Sequence, residues 1–131
     1  MAVFVAAALL GGCAYPGALR CDAGARPMIA ERLYFGTERP GGVVSEADWQ
    51  GFVGDTIAAR FPAGFTTWEA TGGWRGADGR AVREASHVLE VMHPVDASGM
   101  DAAIDTTIAA YKARFYQEAV LRVRAPACAG P

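Results

Sequence analysis

Lysine, histidine and cysteine are scarce in this chain: one lysine, two histidines and three cysteines among 131 residues. Eleven arginines supply the remaining positive charge against fourteen acids, so the formal net charge is −2. With no basic excess to neutralise phosphates, the composition argues against nucleic acid as a partner. No Cys-x-x-Cys pair or Cys/His cluster occurs, so spacing along the chain points to no metal and no cofactor. No serine sits in a nucleophile elbow, and no glycine-rich turn has the spacing that cradles a phosphate. No apolar run reaches the ~20 residues of a spanning helix.

Small residues are abundant instead. Alanine (27) and glycine (16) make up about a third of the chain and inflate its 52% apolar content. The larger apolar residues still suffice for one core, and 20% charged residues argue against a disordered acidic or basic tail. The length is that of one domain.

Residues 2–12 are uninterruptedly apolar or small and end at Cys13. That length suits the h-region of a secretory signal, ~7–15 residues. Leu10-Gly11-Gly12-Cys13 resembles the bacterial lipobox, in which signal peptidase cuts before a cysteine that carries a diacylglyceryl group. No Lys or Arg precedes the run, a departure from the signal pattern, and the competing reading is an apolar tail with a chance cysteine. The lipobox reading predicts export to the cell envelope, facing the periplasm, with lipid on Cys13 as the only membrane attachment. Cys21 and Cys128 then remain, and in an oxidising compartment a disulfide is the default for such a pair; two free thiols are the alternative.

The expected organisation is a signal segment over 1–12, a tether over 13–28, one domain over 29–125 and a tail over 126–131. Residues 29–36 alternate as a half-buried strand, with Leu33 and Phe35 opposite Arg32 and Tyr34. Ser45 followed by Asp48 reads as a capping box, opening a helix whose apolar face is Trp49, Phe52, Val53 and Ile57. The helix should stop near Arg60, before Pro62 and Gly64. Residues 65–74 and 81–93 form a hairpin around Gly76-Ala77-Asp78-Gly79. Ser98 with Asp101 repeats the capping pattern before a helix carrying Met100, Ile104, Ile108, Tyr111 and Phe115. A last strand over 118–124 should end before Pro126.

The order β-α-β-β-α-β predicts an α+β ferredoxin-like sandwich, an antiparallel sheet with two helices on one face. In that fold the start of the first strand lies beside the end of the last, which brings Cys21 and Cys128 together. Pairing across the hairpin puts Glu69 opposite His87, which could be an acid–base dyad but is read first as a cross-strand polar pair. Trp68, Val88, Glu90 and Met92 fall on the uncovered face, joined by Arg32 and Tyr34 and, from the last strand, by Val120 and Arg122. Arg32, Tyr34, Trp68, Glu90 and Met92 are the candidate contacts there. They would serve a homodimer or an unidentified small ligand. Arg32 and Glu90 read either as a structural ion pair or as a ligand grip.

Glu31-Arg32-Leu33-Tyr34-Phe35-Gly36, Ser45-Glu46-Ala47-Asp48-Trp49, Arg60-Phe61-Pro62-Ala63-Gly64, Gly73-Trp74-Arg75 and the run Tyr111-Lys112-Ala113-Arg114-Phe115-Tyr116-Gln117-Glu118 together resemble a bacterial family of small exported proteins, the domain of unknown function family 3574. The resemblance spans residues 21–128. It departs at Tyr116, where the family pattern has Gly, and at Ala119, where it has Ser. It implies export and a compact α+β domain, and assigns no catalytic residue. Three functions remain from the sequence: a non-enzymatic envelope binding module, a dimeric α+β-barrel-like enzyme or ligand binder using the uncovered face, or an envelope-stress or phage-associated accessory protein, which differs from the others in biology rather than chemistry.

Overall fold

The computed structural model describes residues 19–75 and 77–130, in which alternation and helical spacing produce the anticipated order with one small addition. Strand β1 (Arg26–Gly36) is followed by a short ribbon, β2 (Glu38–Arg39) and β3 (Gly42–Val43), turning at Pro40-Gly41. Helix α1 (Glu46–Phe52) continues through a π-helical turn (Val53–Ile57) into α2 (Ala58–Arg60). Strands β4 (Thr66–Arg75) and β5 (Ala81–Pro94), helix α3 (Met100–Phe115) and strand β6 (Leu121–Ala129) complete the chain.

The main sheet has the order β4-β5-β1-β6, antiparallel throughout. The fold is the ferredoxin-like sandwich. Leu33, Phe35, Leu89 and Val91 from the central strands meet Trp49, Phe52, Ile57, Ile104, Tyr111 and Phe115 in one core. Tyr111 carries its hydroxyl into this layer and donates it to the Gly36 carbonyl at 2.8 Å. Burial holds that phenol protonated far above its ordinary range.

The first capping box forms: Ser45 accepts from the Asp48 amide and Asp48 accepts from the Ser45 amide, each at 3.1 Å. The helix it opens is not regular. Phe52 and Ile57 are both fully buried but five residues apart, a spacing an α-helix would carry partly around its axis. The π turn between them, closed by the Ala58 amide on the Val53 carbonyl, returns Ile57 to the core side. Arg60 finishes the segment by donating to the Thr56 carbonyl at 3.1 Å.

Three expectations need correction. Ser98 does not cap α3: Gly99 stands at the N-cap with φ 77°, and Asp101 turns to Arg122 and Arg124 instead. The apolar stripe of α3 forms as its spacing predicts, with Ile104, Tyr111 and Phe115 in the core and Met100 and Ile108 half-buried against it; Thr107 joins them, its hydroxyl donated to the Ala103 carbonyl. The sheet exceeds the span 29–125, because β1 begins at Arg26 and β6 runs through Pro126 to Ala129. Proline is tolerated there because β6 is an edge strand and need not donate on its open side.

The third concerns the facing of β6. The ladder sets Val123 opposite Arg32 and Leu121 opposite Tyr34, so Leu121 and Val123 occupy the uncovered face. Arg122 points to the helix side, and Val120 packs against the core. The cause is Glu31, fully buried on the helix side of β1. Its carboxylate accepts from Arg122 Nε at 2.9 Å and Nη2 at 2.8 Å, with Arg124 Nε at 3.3 Å. A buried charge must be paired, and β6 turns its arginines inward to pair it.

Cys21 and Cys128 are joined in a disulfide with their Cα atoms 5.5 Å apart, tying the two ends of the fold together. Cys13 lies outside the described residues.

Candidate functional site

Two surfaces gather side chains that the fold does not consume. The first is the uncovered sheet face. One row crosses all four strands, Trp68 beside Val88, Val88 beside Tyr34 and Tyr34 beside Leu121. Val88 in the middle is fully buried, whereas Trp68 at one end is 41% exposed and Leu121 at the other 61%. The neighbouring row runs Thr66, Glu90, Arg32, Val123. Within it the Arg32 guanidinium donates to the Glu90 carboxylate, and that contact raises the Arg32 pKa. Met92 follows one row on, half-buried beside Ala30. The structure therefore brings Arg32, Tyr34, Trp68, Glu90 and Met92 onto one face, as their alternation required.

The second surface is a cleft of about 580 Å³ on the helix side, midway along the β4–β5 hairpin. Glu69 and His87 pair directly across β4 and β5. Glu46 comes from the first turn of α1, and Thr37, Val44 and Thr71 line the remaining wall. His87 is 6% exposed and stacks on Trp49, ring centroids 4.4 Å apart and planes 5° from parallel. Burial lowers the imidazole pKa, prevailing over Glu46 and Glu69, whose charges pull it upward. A neutral imidazole beside two carboxylates can accept a proton or hold a cation. One nitrogen and one oxygen from each carboxylate lie within 4.8 Å of one another.

Glu31 is the centre of a third polar cluster, structural in character. Asp101 and Asp105 of α3 also reach Arg122, and His93 Nε2 stands 3.6 Å from Glu31. Burial alone would raise the Glu31 pKa, but the hydrogen bond and charge of Arg122, with Arg124 behind it, bring it below the usual range. The cluster sews the last strand to the first strand and to α3.

Sequence reasoning paired Glu69 with His87 but missed Glu46, which it read only as part of a helix start, and missed the Trp49 stack. Neither has a signal in local spacing. Glu31 does have one: it occupies the helix-facing phase of β1, where an apolar residue belongs.

A ferredoxin-like domain with a partly apolar open face and an acidic cleft is the class that fold and surfaces define. The family model for "Protein of unknown function (DUF3574)" matches residues 30–130, and the chain belongs to that family. No curated protein matches it. Among solved structures, a phage SAM lyase in complex with S-methyl-5'-thioadenosine is similar, with TM-score 0.55 and 16% identity over 86% of this chain and 95% of that one. The same phage lyase in its apo state gives TM-score 0.51 and 15% identity over the same shares. At such identity the likeness is one of fold.

Proposed function

We propose that this domain is a non-enzymatic binding module of the bacterial cell envelope, anchored by lipid on Cys13, that uses its uncovered sheet face to meet a second copy of itself. The row Trp68–Val88–Tyr34–Leu121 carries the reading: an apolar band across four strands whose two ends remain exposed. Two such faces packed about a two-fold axis bury each other's bands, and the contact is self-complementary. Arg32 and Glu90 enter that interface already paired, which removes the cost of burying either charge alone. The disulfide supports the envelope location, since such bonds persist in oxidising compartments.

Sedimentation of the chain from Ala18 onward tests the self-association. A dimer at micromolar concentration is expected, and Trp68→Asp or Met92→Asp should dissociate it with helical content intact. A stable wild-type monomer would overturn it. Anchoring is tested by fatty-acid labelling in cells: the wild type should take the label and Cys13→Ser should not.

A second reading, a small-ligand binder or enzyme on this fold, draws on the likeness to the phage SAM lyase and its bound S-methyl-5'-thioadenosine. Ligand that binds the native state raises the melting temperature with the logarithm of its excess. A dose-dependent rise with S-methyl-5'-thioadenosine would favour this second reading, and a flat response the first.

A further inference from the structure

We propose that Glu46, Glu69 and His87 form a binding site for a first-row divalent transition-metal ion, with zinc as its representative. The site is independent of the sheet face and of self-association. Its three donors come from α1, β4 and β5, and only the tertiary structure brings them within 4.8 Å of one another.

His87 points to an occupant most directly. The residue is only 6% exposed and lines the cleft, and among the described residues no hydrogen bond reaches its ring; the sealed side-chain nitrogen left without a partner is that of His93, whereas the His87 nitrogens keep access to the cleft. An imidazole nitrogen with no protein partner and access to a polar cleft is free to bind what the cleft admits. Trp49, stacked flat against the imidazole, holds the ring in one plane. That is the preorganisation a metal ligand needs.

The carboxylates complete the donor set. Glu46 accepts a hydrogen bond from Gln50 Nε2 at 2.6 Å, and among the described residues neither Glu46 nor Glu69 is ion-paired with an arginine or lysine. Two unopposed carboxylates and a neutral imidazole together balance a doubly charged ion. Tetrahedral donors ~2.0–2.1 Å from zinc stand roughly 3.4 Å from one another, so any donor pair now wider than that, within the 4.8 Å bound, must draw in. Glu46 and Glu69 are both solvent-exposed long side chains, and rotamer changes suffice for that movement.

The donor chemistry selects the metal class. Imidazole suits zinc, copper, iron and nickel, whereas magnesium and calcium are bound by oxygen alone. Three protein donors leave at least one coordination position open to the 580 Å³ cleft, where water or an anionic ligand would complete the shell.

Titration of zinc chloride into the full-length chain, purified in detergent with its disulfide intact and stripped by chelator, tests the site. One zinc per chain is expected, and cobalt substitution should give the visible d–d absorption of a low-coordinate nitrogen–oxygen site. Loss of a group that merely orients a ligand costs about 10–100-fold in affinity, so Glu46→Gln and Glu69→Gln should each cost that much or more. Both residues are exposed, and the metal-free variants should melt as the wild type does. Asp96→Asn, an exposed acid elsewhere, should leave affinity unchanged. Millimolar magnesium or calcium should not displace the zinc. No saturable binding below millimolar zinc, affinity indifferent to Glu69→Gln, or displacement by calcium would each overturn the proposal.

Discussion

Tyr116 is the only non-glycine residue at positive φ among the described residues, with φ 57° and ψ 37° where α3 ends. A helix C-terminus commonly closes on a left-handed residue, and glycine serves best because it has no Cβ to meet the carbonyl. That gives a physical reason for glycine at this place in the family pattern. The tyrosine has lost that ease, and its ring lies mostly in solvent. Left-handed geometry costs an L-residue ~1–2 kcal/mol, of which the greater unfolded-state freedom of glycine takes back about 0.5–1. Tyr116→Gly should therefore stabilise the domain by up to about 1 kcal/mol. A rise of a few degrees in the calorimetric melting temperature is the expected sign, and a fall would show that the tyrosine contributes packing that outweighs its backbone strain.

Elements rather than single residues explain the orientation of β6. Its sequence alternates arginine with leucine and valine, so its two faces differ, but alternation alone does not say which face turns inward. Pointing the apolar side inward would have been the ordinary choice. Glu31, buried on the neighbouring strand, reverses it by drawing Arg122 and Arg124 under the helices, where Asp101 and Asp105 wait at the start of α3. The ion pairs thus fix three elements at once, β1, β6 and α3. Glu31→Gln removes the central charge and should cost about 2–4 kcal/mol, somewhat below the ~3–5 for a wholly buried pair, because Arg122 keeps its aspartates. Since the folded-state pKa of Glu31 is lowered, its stabilisation is present above the ordinary carboxylate value of 4.5 and is lost as pH falls through the folded value. Urea midpoints should hold from neutrality to about pH 5 and then drop, and in Glu31→Gln the drop should be shallower. Equal acid sensitivity in both proteins would assign the loss to other carboxylates. The π turn after α1 is likewise settled at this scale: Phe52 and Ile57 both belong to the core, and the helix widens locally to serve both.

At the scale of the whole molecule, the disulfide joins residues 107 apart in sequence and ties the segment before β1 to the end of β6. Closing so long a loop restricts the unfolded chain, an effect worth up to ~4–5 kcal/mol on the loop-entropy model. Reduction should lower the denaturation midpoint accordingly while leaving the native circular dichroism spectrum in place. Thiol labelling of the unfolded, unreduced chain should find Cys21 and Cys128 protected. Free reaction of both would remove the cross-link from the account of stability.

The order of elements, the central-strand alternation, the capping box at Ser45 and the meeting of Cys21 with Cys128 were legible in the sequence. Each follows from periodicity, from a local hydrogen bond or from the connectivity of a known fold. Ser98 and Asp101 have the same capping pattern as Ser45 and Asp48, yet no cap forms there, because Arg122 and Arg124 compete for the aspartate and Gly99 takes the N-cap position. The pairing of Glu69 with His87 was legible too, whereas the facing of β6 and the arrival of Glu46 and Trp49 beside that pair were decided by tertiary structure alone. Local pattern reports which residues share a face of one element. Which faces meet depends on charges and volumes from elements far apart in sequence, and a buried carboxylate on β1 outweighed the apolar preference of the strand beside it.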